Sequence, residues 1–166
     1  MVNKINKSLY LGSVGNKPTE RTNALTLMND SIEYFEFYQR GKPNKKVDIS
    51  KVSYFLLMRS LELSLKALLK AREGISASKL KERETFGHDV GKLYSYCIEK
   101  HYLEPLNKEF GEALKRLNTY YKGKDFEYTQ IGSKLLPRTD YVVSLVNEVH
   151  REFNKITQNT KIQRYL

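Results

Sequence analysis

The pattern of apolar residues predicts an all-α protein, an up-down antiparallel bundle of about five helices. Apolar side chains recur every three and four residues through five stretches, as one face of a 3.6-residue period requires. Pro, and Gly apart from Gly91 and Gly111, fall between those stretches or at their ends, and no strand-like alternation is sustained.

Residues 1–17 are polar, with Gly12, Gly15 and a short apolar patch at Leu9, Tyr10 and Leu11, which reads as a flexible arm docked by that patch. Pro18 and Thr19 open a first helix to about Arg40, with Leu25, Met28, Ile32, Phe35 and Tyr38 or Gln39 on its apolar face. Its rings, Tyr34, Phe35, Phe37 and Tyr38, suit packing against the next helix better than base stacking. GKPNKK at 41–46 breaks that helix and turns the chain back, making the two helices antiparallel neighbours.

The second helix, Asp48 to Glu73, is the longest signal. Asp48 or Ser50 is placed to cap it, no Pro or Gly interrupts it, and Gly74 suits its left-handed C-terminal residue. Tyr54, Leu57, Met58, Leu61, Leu65, Leu68 and Leu69 make one broad apolar arc, and Val52, Leu56 and Leu63 a narrower one. Ser53, Ser60, Ser64, Ala67 and Ala71 form a stripe of small residues that a neighbouring helix can approach. Between the arcs lie Arg59, Glu62, Lys66 and Lys70, with Glu62 one turn from both Arg59 and Lys66. Such a ridge is either a solvated salt-bridge ladder or the polar lining of a cleft.

ISASKLKERETFG after Gly74 has no clear period and reads as a loop with one short turn at most. A third helix starts near His88 or Asp89 and runs to about His101, with Val90, Leu93, Tyr94, Cys97 and Ile98 inward and Asp89 in its first turn. A fourth starts at Glu104 or Pro105 and ends by Gly123, with Leu106, Phe110, Ala113, Leu114 and Leu117 inward. DFEYTQIGSKLLP crosses over to a last helix from Pro137 or Thr139, carrying Tyr141, Val142, Leu145, Val146, Val149 and Phe153 inward. The organisation expected is an arm at 1–17, one helical domain at 18–157 and a frayed tail at 158–166.

At 166 residues the chain can bury one core but hardly two. Its 29 Lys plus Arg against 19 Asp plus Glu give a formal charge of +10, which favours polyanionic partners: RNA, DNA or nucleotide phosphates. The single cysteine, Cys97, cannot form an internal disulfide and suits a buried, inert position better than a nucleophilic one. With neither a signal-like leader nor 18 consecutive apolar residues, the expectation is a cytoplasmic protein with no membrane contact.

His88, His101 and His150 stand on separate segments without metal-ligand spacing, so no metal site and no cofactor is expected. Phosphate-loop, dinucleotide and serine-hydrolase motifs are absent from the sequence. What remains is Arg83-Glu-Thr-Phe-Gly-His88. A histidine can take the proton of a ribose 2′-hydroxyl while a guanidinium neutralises the phosphorane, the minimum for cutting RNA without metal. The alternative is that His88 caps the third helix and Arg83 is a solvated loop charge.

Leu61-Glu62-x-x-Leu65-Lys66-Ala67-Leu68-Leu69, followed after a loop by Gly87-His88-Asp89-Val90-x-x-Leu93, resembles the HEPN domains, helical modules associated with nucleotides and RNA. YTQIGSKLLP is similar to the tyrosine-bearing crossing loop that many of them have before the last helix, and the resemblance spans about residues 20–155. It implies a HEPN-like bundle and a homodimer with its cleft at the interface. It also implies one of two activities: metal-independent ribonuclease action of a toxin or defence type, or non-catalytic partnership, for example with a nucleotidyltransferase or an antitoxin. Carried over, it matches Arg83 and His88 to the nuclease spacing and Glu62 and Lys66 to the acidic and basic positions of the central helix; the site expected is Arg83 and His88 for catalysis, and Glu62 and Lys66 with Arg59 of the charge ridge, Asp89 and Tyr128 for binding. Glu84 after the arginine departs from the nuclease pattern, where Asn, Asp or His is usual, and Gly87-His88-Asp89 is closer to the binding class.

Overall fold

A computed structural model of the chain describes residues 24–41, 50–82, 84–127 and 136–163, with side chains 77 and 159–163 left out of the description. The described residues are all-α: α1 (Ala24–Gly41), α2 (Lys51–Glu73), α3 (Ala77–Lys81), α4 (Val90–Glu99), α5 (Lys108–Lys122) and α6 (Thr139–Gln163). The count is thus six rather than about five, because Ser76 caps a single turn inside the expected loop by accepting from the Lys79 N–H at 3.3 Å. The N-terminal arm, the Pro18–Thr19 helix start, the 42–46 turn, Asp48, Arg83 and Tyr128 with the crossing loop through residue 135 lie outside the described residues.

The core forms around α2. Tyr54, Leu57, Met58, Leu61, Leu65, Leu68 and Leu69 are almost wholly shielded from solvent, so the broad arc is buried as expected, while Val52 of the narrower arc is exposed. Removing any one of these leucines to alanine would cost about 2–5 kcal/mol in lost burial and residual cavity. The small stripe admits α1 closely: Ser31 Oγ donates to the Ser60 carbonyl at 2.8 Å and Ser60 Oγ returns the bond to the Ser31 carbonyl at 2.8 Å. Met28 and Phe153 close over Ala67. The buried face of α1 is therefore Met28, Ser31, Phe35 and Tyr38, and Leu25 and Ile32, expected inside, are exposed. Reciprocal serine bonds set that rotation, which hydrophobic periodicity cannot register.

Pairings along the helices give their senses. Met28 meets Ala67, Ser31 meets Ser60 and Tyr34 meets Phe55, so α1 runs against α2. Asp89 meets Asn118 and Tyr94 meets Leu106, so α5 runs against α4. By contrast, His88 lies at Glu62 and Tyr96 at Glu73, so α4 follows α2 in its own sense. Leu80 and Lys81 of α3 share a wall with Leu63 and Lys66. The segment after Gly74 thus travels back along α2 before α4 begins, a departure from strict up-down order. Ser50, at the N-cap of α2, makes no side-chain cap bond, whereas Gly74 ends the helix at φ 66° with its N–H on the Lys70 carbonyl. Asp89 and Asn107 cap α4 and α5, and α6 runs on to Gln163, past the Gln158 at which the apolar period ends.

Candidate functional site

The ionic ridge of α2 is not a solvated ladder. Glu62 has no exposed surface, the Lys66 side chain is 7% exposed and Arg59 29%. An ionised carboxylate so buried must be surrounded by donors, and Glu62 is. Lys66 Nζ donates to Oε1 at 2.7 Å, Arg59 Nη1 to Oε2 at 3.0 Å and the Tyr121 hydroxyl to Oε2 at 2.5 Å. Burial pushes the Glu62 carboxyl upward, but the charges of Lys66 and Arg59 and the bonds from Lys66 and Tyr121 outweigh it and hold the group below its usual range. Burial likewise pulls Arg59 down, and the facing Glu62 and Tyr121 outweigh it, leaving the guanidinium above its ordinary value. The Tyr121 hydroxyl is raised by burial and by Glu62, so it stays protonated and donates.

The fourth partner is His88. Its Nδ1 lies 3.1 Å from Oε1 and 3.2 Å from Oε2 of Glu62. A carboxylate only accepts, so Nδ1 carries the hydrogen of this bond. The ring itself is 68% exposed. Its position follows from the loop before α4. The amides of Thr85, Phe86 and Gly87 all turn onto the Glu82 carbonyl, and Asp89 N donates to Phe86 O at 2.8 Å. Gly87 takes φ 51°, a left-handed conformation costly to residues with a Cβ. Phe86 is buried edge-on against Tyr96. Lys66 Nζ clamps the Gly87 carbonyl at 2.6 Å. One lysine therefore ties the carboxylate to the backbone that presents the histidine.

Asp89 sits beside this group. Its carboxylate accepts from Lys92 N at 3.0 Å, Asn118 Nδ2 at 2.8 Å and Lys122 Nζ at 2.6 Å. Burial would raise it, yet the bonds from Lys122, Lys92 N and Asn118 hold it below the usual carboxylate range. Asp89 thus caps α4 and anchors a lysine while bordering the space beside His88.

Three concavities meet at His88. One of about 490 Å³ lies between Leu27, Asp30, Leu63, Lys66, Leu80 and Lys81. One of about 430 Å³ is walled by Lys81, Lys92, Lys122 and Lys124 together with Asp89. One of about 290 Å³ is lined by Tyr34, Phe55, Arg59, Tyr121, Lys122, Lys124 and Glu127. A larger cleft of about 650 Å³ between α4 and α5 holds Asp89 and Lys92 but no histidine, and so no group that exchanges protons near neutrality. Among the described residues no three His, Cys, Asp or Glu side chains could hold a metal ion. His150 lies elsewhere, inside the α1–α2–α6 junction against Ser31. Cys97 is fully buried.

The structure therefore brings Arg59, Glu62, Lys66 and His88 into one cluster, with Asp89 alongside; Arg83 and Tyr128 lie outside the described residues. Sequence reasoning missed Tyr121, 59 residues from Glu62, and the lysines at 81, 92, 122 and 124. Nothing local marks any of them, since they reach the site from three segments, α3, α4 and the end of α5, all distant in sequence from Glu62. No helix among the described residues is long and apolar enough to cross a membrane. Set beside known proteins, the chain matches no family description, no curated protein and no solved structure.

Proposed function

We propose that this chain is a HEPN-like helical protein that binds RNA or nucleotide phosphates in the basic cleft around His88. The observation that carries the reading is the pairing of a wholly buried carboxylate, Glu62, with an exposed imidazole that shares a cavity with four lysines and Asp89. A purely structural ion pair has no need to hold a solvent-facing histidine. Phosphate oxygens suit the lysine wall, because charge-assisted bonds to phosphate are about twice as strong as neutral ones.

The same arrangement suits metal-independent cleavage. His88 Nε2 takes the 2′-hydroxyl proton and the freed oxygen attacks the adjacent phosphorus. The 5′-oxygen departs taking a proton from solvent water, the hydroxide left being neutralised by the proton that His88 then releases, and a 2′,3′-cyclic phosphate remains. Glu62 stabilises the imidazolium formed, as a carboxylate does behind a catalytic histidine. Arg83 is the cation proposed for the phosphorane, and Tyr128 a further contact; the partner expected is a second copy of the chain.

Labelled RNA incubated with the protein in EDTA tests this. Cleavage to cyclic phosphates, lost in His88→Ala while RNA binding persists, supports the catalytic form. Binding without turnover supports the non-catalytic form, in which the chain partners a nucleotidyltransferase or an antitoxin. Absence of RNA and nucleotide binding alike overturns the reading.

A further inference from the structure

The concavities around His88 differ in chemistry, and the difference bears on what kind of RNA fits. The one of about 430 Å³ offers a run of ammonium groups. Lys122 is held against Asp89, whereas no described residue pairs with the side chain of Lys124 or Lys81. The one of about 290 Å³ is floored by rings: Phe55 lies edge-on to Tyr34 and tilted to Tyr121, both with centroids 6.5 Å apart. Tyr34 and Phe55 are only half-buried, although aromatic side chains in a core normally close over one another. The volume sits at the ~300 Å³ lower bound of small-molecule pockets, sized for one planar ring system. The two spaces share His88, Lys122 and Lys124 in their walls, and behind them Glu62 Oε2 ties the ring floor to the imidazole, receiving the Tyr121 hydroxyl at 2.5 Å and facing His88 Nδ1 at 3.2 Å.

Resting on the reading above, we propose that the Tyr34–Phe55–Tyr121 hollow is a nucleobase subsite and that the substrate class is single-stranded RNA. One unpaired base stacks on the rings, the phosphate it carries lies at His88, and the next phosphates run along Lys122, Lys124 and Lys92. A duplex keeps its bases stacked on each other and cannot offer one to the hollow. Stacking is tolerant of base identity, so the site selects strandedness more than sequence.

Fluorescence anisotropy with 2′-O-methyl oligomers, which lack the nucleophile and stay intact, tests the proposal on the full chain. Oligouridylate and oligoadenylate should bind with similar affinity, and an abasic oligomer of equal length and charge roughly 5- to 160-fold more weakly, the range for a base–aromatic stack. Tyr34→Ala should show the same loss with no change in salt dependence, and Tyr34→Trp should restore binding. Lys124→Ala should instead lower the slope of log affinity against log salt by about 0.7. The abasic comparison needs no variant, so misfolding cannot mimic it. Abasic and base-bearing strands binding equally, or duplex binding as tightly as single strand, would overturn the nucleobase subsite and leave the phosphate cleft standing. Failure of every oligomer to bind would remove both.

Discussion

Replacing Glu62 with glutamine keeps the shape of the side chain and deletes the charge on which the cluster depends. Of its partners, His88 and Arg59 have access to solvent and can be rehydrated, and Tyr121 can still donate to the amide oxygen. Lys66 cannot escape so easily: its side chain is 7% exposed, and its ammonium is left with the Gly87 carbonyl alone. Breaking a buried pair by removing one partner costs about 3–5 kcal/mol, and the partial access of Arg59 places Glu62→Gln at the lower end, about 3 kcal/mol. In a chain of this size that lowers Tm by roughly 6–12 °C. Urea unfolding followed by circular dichroism measures the loss, and the double variant Glu62→Gln/Lys66→Met should recover about 2 kcal/mol of it by removing the stranded ammonium. A loss under about 1 kcal/mol, or a double variant no better than the sum of its parts, would refute the claim that the ridge is a buried ion pair. The pH dependence follows the same logic. Because the folded carboxyl lies below its ordinary value of 4.5, its contribution is complete above that pH and disappears as the pH falls through the folded value.

His150 and Cys97 give two further tests. Burial lowers the His150 imidazole from 6.5 to about 4, so the folded protein holds it neutral while the unfolded chain takes up a proton below pH 6.5. Stability should be complete above pH 6.5 and fall by about 2 kcal/mol towards pH 4, after allowance for partial solvent access to the ring; His150→Gln should flatten urea midpoints across that window, and an unchanged slope would contradict the assignment. Burial, and then the charge of Glu73, push the Cys97 thiol up to about 12. A disulfide reagent at pH 8 should leave it untouched in the native protein and label it at once in denaturant, and rapid native labelling would show that the α4 face is open.

Much of the architecture was legible because helix faces are written in local periodicity. The buried arc of α2, the left-handed stop at Gly74 and the inward residues of α4 and α6 all follow from spacing along one element. The rotation of α1 was not legible. Leu25 and Ile32 fit the period as well as Met28 and Phe35, and the choice was made by Ser31 bonding to Ser60 across 29 residues. The one-turn α3 was too short to leave a period, and the direction of α4 depends on where that turn carries the chain.

For the candidate site the division has the same cause. The sequence by itself determined that Arg59, Glu62 and Lys66 share a helix face, because spacings of three and four along one helix place them there. Only the tertiary structure decided that this face is buried. The solvation of a charge depends on every neighbour it acquires, and here those neighbours are Tyr121, the Gly87 carbonyl and His88, brought in from two other parts of the chain. The same pattern of charges on a helix packed on one side would have remained a ladder in water.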